Sequence, residues 1–472
     1  QVNPSYLQEN VTWSEDRQLN FQLNYERSFA DAHHVKGWLI YESYLEKGAG
    51  LSAGIQGFPV YITDQWWAAS TRTNNNQYVS NSTDYSDYSS GRKSWVGQFF
   101  YDFKEKYIVN FAYRYDGSMK FSPDKRWGFF PSGSIGWIAS KENFFNVSWI
   151  NMLKVRASAG LVGNDAVGGW QWQTSYRQGN NYYFGTSPST NVGVTYGAVV
   201  NPELTWEKSF NKNFGIDMNF LRHFNATIEY WQTHTYDILG QRVQKIPPSF
   251  SLTIPASNYG KMDAQGYELT IGYRNKFGKV DFNTSLTASY GFAKWTLRDV
   301  NATYDYQKYE GRTTSYITGY KVAGILRTQA DLDNLLKVKP NYTFNGFKPE
   351  LGQLYYEDIN SSNGLGVPDG IVDNYDITVL RKNNDPVVFG WNIGAEWKGL
   401  SINANLNGMV RQWKSFQDLA GGVEWNRLWN KWYSDSWTVT NPNAMLPIRY
   451  SAGGDSRYGM NTTGSSFWLK DA

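Results

Sequence analysis

Side-chain character alternates with period two over segment after segment, and this confines the chain to strands with one apolar and one polar side. Tyr267–Tyr273 sets Tyr267, Leu269, Ile271 and Tyr273 against Glu268, Thr270 and Gly272. Val280–Tyr290 opposes Val280, Phe282, Leu286, Ala288 and Tyr290 to Asp281, Asn283, Ser285, Thr287 and Ser289. Trp391–Trp397 and Leu400–Val410 repeat the pattern, with Trp391, Ile393, Ala395, Trp397, Leu400, Ile402, Ala404 and Leu406 on one side. Across these windows 18 of 20 first-face positions are apolar against 1 of 16 on the second, where 41% hydrophobic content would make the faces alike by chance.

Similar runs occur at Leu19–Phe29, Val35–Tyr44, Lys93–Phe103, Tyr107–Tyr115, Trp127–Ile138, Met152–Leu161, Trp206–Phe220 and Phe224–Thr235, which makes twelve predicted strands. Many approach the ~9–11 residues that cross a bilayer at a tilt. A soluble sandwich would also make each strand one-sided. Two features favour a membrane barrel.

Links alternate in length. Short ones fall at Lys104–Lys106, Leu221–His223, Lys276–Gly278 and Lys398–Gly399; long ones fall at Leu45–Arg92, Val162–Thr205, Tyr236–Met262, Gly291–Val388 and after Arg411, with Asp116–Arg126 the shortest of the long set and Ala139–Asn151 intermediate. Antiparallel strands with tight turns at one rim and long loops at the other give this rhythm. Aromatic residues make up 17% of the chain, and Tyr267, Tyr273, Trp391, Trp397 and Tyr290 end apolar-face series, as girdles at the membrane interfaces require.

Several classes drop out. No cysteine is present, which removes disulfides and thiol chemistry. The 45 basic and 42 acidic residues form no basic stripe, so no nucleic acid is expected as partner. No nucleophile elbow, Walker loop or paired-carboxylate motif appears, and no enzyme is predicted. His33, His34, His223 and His234 lack metal spacing and read as structural.

Four blocks stand in order: YRYDGSMKFSPDKRWGFF at Tyr113–Phe130, WINMLKVRASAGLVGND at Trp149–Asp165, NPELTWEKSFNKNFGIDMNFL at Asn201–Leu221 and YGKMDAQGYELTIGY at Tyr259–Tyr273. Together they resemble the SusC-like (SusC/RagA) TonB-dependent outer-membrane transporters, and the likeness runs from about Arg92 onward. The resemblance implies an all-β, antiparallel transmembrane barrel of about 22 strands, of which residues 1–472 would be the C-terminal portion with long extracellular loops. The plug, the TonB-interacting region and the final strands would lie in polypeptide outside this sequence. Implied function is TonB-dependent import of oligosaccharides or oligopeptides across the bacterial outer membrane, in outer-membrane lipid, with a SusD-like surface lipoprotein as partner. The alternative is a soluble or surface-tethered carbohydrate-binding β-protein, suggested by loop aromatics.

Two sets of site residues follow. Asp358–Asp376 reads DINSSNGLGVPDGIVDNYD, and Asp358, Asn360, Asp369, Ile371 (through its carbonyl) and Asp376 fit a structural calcium loop if Ser361–Pro368 bulges out. Its competing reading is an Asx-rich surface turn without an ion. Trp66, Trp67, Trp170 and Trp172, with Tyr182 and Tyr183, are candidates for stacking on substrate or on one another.

Overall fold

The computed structural model describes residues 6–30, 32–56, 65–66, 82–179, 182–184, 189–191, 193–242, 254–417, 434–450 and 457–471. Twelve long strands dominate: β1 (Tyr6–Phe29), β2 (His33–Gln56), β3 (Ser82–Phe103), β4 (Tyr107–Ser118), β5 (Trp127–Ile138), β6 (Ile150–Asn164), β7 (Glu207–Phe220), β8 (Phe224–Gly240), β9 (Ser257–Phe277), β10 (Val280–Leu297), β11 (Val387–Trp397) and β12 (Leu400–Val410). They form one sheet whose hydrogen-bonded neighbours follow chain order. All twelve are strands that the alternation predicts.

Their outer ends are longer than alternation predicts. β2 and β3 stay paired from Leu45↔Gly91 to Gly54↔Ser82, inside the stretch expected as a long connection. A backbone ladder needs no apolar face to continue, whereas the alternation that marks it in sequence lasts only where one face must be apolar. At the opposite rim, Lys398 and Gly399 close β11 onto β12 with φ of 47° and 87°, the positive pair of a type I′ turn.

Packing divides the chain into two compact units: 1–135, 159–208 and 251–258 form the first, and 136–158, 209–250 and 259–472 the second. In the first, β1–β4 pair as successive antiparallel hairpins. Its buried apolar cluster lies at the outer strand ends, where Trp206 packs on Phe121 and Phe130 with ring centroids 5.5 and 5.2 Å apart. Asp165 is buried beside it and accepts hydrogen bonds from Arg92 and Ser118. The first two sequence blocks therefore meet at one structural pin.

In the second unit, β9–β12 form a continuous antiparallel ladder. The connection after β10 is a folded module rather than an open loop. It holds a helix α1 (Gln329–Val338), and short strands pair Val322–Ile325 with Leu354–Tyr356 and Thr343–Phe344 with Ile371–Val372. Its core comprises Tyr320, Tyr342, Phe344, Leu354, Tyr356, Val372 and Met460. The last of these arrives from the segment after β12, so two connections share one core.

The sheet itself is uncovered on its apolar side. Leu23 is 70% exposed, Phe111 46% and Ile271 38%. A sandwich would bury these side chains against a second sheet. Instead most of the buried apolar residues sit in connections and at strand ends, with Val96 in mid-strand an exception, the inverse of a soluble β-protein, and the sandwich expectation fails on this point.

Candidate functional site: an outward belt, a polar face and a loop module

The strand registers align the apolar side chains into rows. In the first unit Tyr41 lies opposite Trp95 and Trp95 opposite Tyr115, and Tyr115 stacks on Trp127 at 4.8 Å. Tyr101, Phe103 and Tyr107 mark the other edge. From Tyr107 to Tyr115 is eight residue steps, about 27 Å at ~3.4 Å each. In the second unit the outer row is Tyr230, Tyr267 and Tyr290, and the inner edge is Phe224, Tyr273 and Phe282. Phe282 to Tyr290 again spans about 27 Å. Both bands match the ~25 Å apolar girdle of an outer-membrane strand.

One aromatic expected at an edge is not there. Trp391 stands opposite Leu286, which stands opposite Ile271, so it occupies a middle row. Alternation shows which face Trp391 is on; only the register shows its height.

On the other face of the second unit, charged and polar side chains gather into a cluster. Arg156 on β6 donates to Asp217 on β7 at 3.1 Å, to Glu229 on β8 and to Asn213 at 3.3 Å. Gly215 leaves the space its guanidinium fills, and Thr227 donates to Asp217 at 3.1 Å. Such a cluster is stable only toward water or polar protein, because unsatisfied charge in hydrocarbon costs several kcal/mol. The sequence reading missed it as a site, although Arg156, Asp217 and Glu229 all fall on the second face of their strands. Each of the four histidines has a hydrogen-bond partner: His33 bonds Tyr101, His34 bonds Ser28, His223 bonds the Arg274 carbonyl and His234 bonds Asp263.

The residues of the proposed calcium loop are brought together in the module, but not as cation ligands. The oxygens of Asp358 accept from the amides of Asp369 at 3.2 Å and Gly370 at 2.9 Å, and from Lys339 Nζ at 3.0 Å. Those of Asp376 accept from the amides of Ile359 at 2.6 Å, Asn360 at 3.0 Å and Asp373 at 2.9 Å. Asn360 Oδ1 accepts from Gly366, and Asp369 Oδ1 accepts from the Ile371 amide. Lone pairs that a calcium ion would use are turned to N–H donors. Among the described residues no group of three or more His, Asp or Glu is placed to hold a metal. The arrangement does not fit calcium; it fits an Asx-rich turn system with its own cation, Lys339. Burial pushes the Asp376 carboxyl above the ordinary range and nearby Asp358 adds to this, while its three amide donors oppose the rise.

Of the loop aromatics, Trp170 and Trp172 are neighbours with ring centroids 5.9 Å apart, and Trp170 stays 40% exposed. Trp66 is partly buried, and Trp67 lies outside the described residues. Tyr182 and Tyr183 stand on a short strand, Tyr182–Phe184.

A family model described as "TonB dependent receptor-like, beta-barrel" matches residues 2–459. Curated relatives include TonB-dependent receptor P39 of Formosa agariphila, 27% identical over 348 residues, covering 68% of this chain and 31% of the relative. TonB-dependent receptor P26 of the same organism is 25% identical over 413 residues, covering 82% and 38%. TonB-dependent receptor SusC of Bacteroides thetaiotaomicron is 26% identical over 333 residues, covering 67% and 31%. The chain thus spans about a third of the length of these relatives. Among solved structures, the RagAB peptide importer in its closed-closed state aligns over 98% of this chain and 48% of that chain, with a TM-score of 0.73 at 18% identity. Its open-open state gives 0.74 at 17%, covering 98% and 47%. At such identity the likeness shows the fold alone.

Proposed function

Because this chain belongs to the TonB-dependent receptor β-barrel family of the bacterial outer membrane, which comprises transporters and receptors rather than enzymes, we propose that it supplies wall and extracellular loops to an importer of bulky nutrients. Residues 1–472 are read as the C-terminal part of that barrel. The observation that carries this reading is the two-sided sheet: an uncovered apolar face banded by aromatics, and an opposite face that holds the Arg156–Asp217–Glu229 cluster. Lipid suits the first face, and a hydrated bore or a polar plug suits the second.

Oligosaccharides and oligopeptides are the substrate classes proposed. The exposed Trp170 beside Trp172 offers a flat surface for a sugar ring or a planar side chain. A SusD-like surface lipoprotein is the proposed partner, supported by similarity to SusC and to the RagAB peptide importer. The folded module around Tyr356 gives such a partner a rigid surface to meet. TonB would energise transport through the whole protein.

Deleting the encoding gene and following uptake of labelled oligosaccharides and oligopeptides by whole cells tests the proposal. One class should lose uptake, and a surface lipoprotein should co-purify with the wild-type protein from outer membranes. Unchanged uptake of both classes would refute import, and purification of the protein alone would refute the partnership.

A further inference from the structure

We propose that a cavity on the outward side of the second unit, just beyond its outer aromatic row, holds the phosphate-bearing head group of an outer-leaflet lipid. The inference rests on the membrane reading, which fixes the apolar face as outward and the rim of long connections as extracellular.

β8 and β10 both run from short turns toward that rim. Beyond Tyr230, Tyr267 and Tyr290 the outward face turns from apolar to mixed, with Phe292 next on β10 and Phe210 beside Lys212 on β7. The next positions are Gln232 and Gln265, then His234, Asp263 and Lys294, with Lys212 on β7 beside them. These residues line a cavity of about 370 Å³. It lies on the apolar side of each strand, away from the Arg156 cluster, so imported substrate in the bore does not reach it.

The chemistry of the cavity is that of a phosphate site. Lys212 Nζ lies 5.5 Å from the Phe210 ring and Lys294 Nζ 5.4 Å from the Phe292 ring, so each ammonium rests on an aromatic face. Neither lysine has a carboxylate within ion-pair distance among the described residues. Asp263 stands opposite Lys294 in the register but is bonded to His234 at 2.5 Å. Two ammonium groups, each with three donors, and the Gln265 amide then face the level where head groups lie, while Gln232 Nε2 donates to the Tyr230 hydroxyl at 2.5 Å. The first unit shows the same order on its own: Lys93 follows two positions beyond Trp95 on the outward face, and both are exposed.

The test uses the intact protein in nanodiscs of phosphatidylcholine, with fluorescent lipid A as probe in its bisphosphorylated form and after removal of its phosphates. Bisphosphorylated lipid A should be retained preferentially. Each of Lys212→Gln and Lys294→Gln should weaken that retention about fivefold, and the double variant about thirtyfold. Salt should weaken it further, and inorganic phosphate at millimolar concentration should not displace the lipid. Equal retention of both lipid forms, or a double variant indistinguishable from wild type, would overturn the assignment. Displacement by inorganic phosphate would overturn the lipid as occupant in favour of a free anion. Failure of the protein to insert would overturn the membrane reading and this assignment with it; insertion without discrimination overturns only the assignment. Both lysines are exposed at the surface, so their replacement leaves folding intact, and unchanged heat-modifiable migration of the variants verifies this.

Discussion

The indole Nε1 of Trp391 donates to Thr284 Oγ1 at 2.9 Å, across the β10–β11 pair and in the middle of the apolar band. Hydrocarbon offers no partner for an indole N–H, so the hydroxyl on the same face satisfies it locally. Thr284→Val should leave that N–H unpaired and cost about 1–2 kcal/mol, measured by denaturant titration of the protein folded into lipid vesicles. Adding Trp391→Phe should recover most of the loss. Additive losses in the double variant would contradict the pairing.

A charge distinguishes the two faces directly. Ile271 and Ile393 belong to the apolar rows, whereas Asn403 faces the other way beside Gly394 and Asn283. Ile271→Lys or Ile393→Lys should each cost about 2–4 kcal/mol in a bilayer, and Asn403→Lys close to nothing. Vesicle-folding equilibria measure all three, and equal tolerance would contradict the assignment of faces.

These two results depend on features the sequence already displays. Period two identifies the face of Ile271, Ile393 and Asn403, because hydrocarbon selects side chains one position at a time along each strand. Height in the membrane is less legible, as Trp391 shows, since it depends on pairing with Leu286 more than a hundred residues away. The module after β10 was least legible. Its core joins Tyr320 and Tyr356 to Met460 across a long stretch of chain, and no local period announces such contacts. One local signal was present: Thr328 and Asp331 form the capping box that starts α1. The calcium reading met a related limit. Spacing of oxygens is visible in Asp358–Asp376, but the amides and the lysine that occupy them are not.

That core makes the module sensitive to alkali. Burial pushes the Tyr320 hydroxyl up to about 12 and also raises those of Tyr342 and Tyr356 above the ordinary tyrosine range. An unfolded tyrosine ionises near about 10. Stability is therefore intact below that pH and falls as pH rises past it, since the unfolded chain releases protons that the folded module retains. Tyrosinate absorbance should show a late fraction that appears only as the module unfolds. Full, reversible ionisation near pH ~10 with the module intact would contradict this core.

Lys339 should do what a bound metal was expected to do. The Asp358 side chain is 1% exposed and Lys339 30%. Chelation of divalent ions should leave loop proteolysis unchanged, whereas Lys339→Met should accelerate it. Asp358 would then keep its two amide donors but lose its counter-charge, a cost of about 1–3 kcal/mol, reduced by the partial exposure of the pair. Protection by calcium and sensitivity to chelators in the wild type would reverse this conclusion.

Glycine in the first unit's pin has a purely steric role. Gly128 and Gly163 flank the Phe130 ring, and a Cβ on either would run into it. The ring cannot retreat freely, because Trp206 packs on it edge-on at 5.2 Å and is held by a hydrogen bond from its Nε1 to the Arg126 carbonyl at 2.9 Å. Gly163→Ala should therefore cost about 1–3 kcal/mol through overpacking, and Trp206→Ala about 3–5 kcal/mol through loss of the buried indole. If Phe130 is the obstacle, Phe130→Leu should relieve much of the cost of Gly163→Ala while being destabilising alone. Thermal unfolding of wild type, Gly163→Ala, Phe130→Leu and the double variant closes that cycle, and strictly additive losses would show that Gly163 is needed for some reason other than room for the ring.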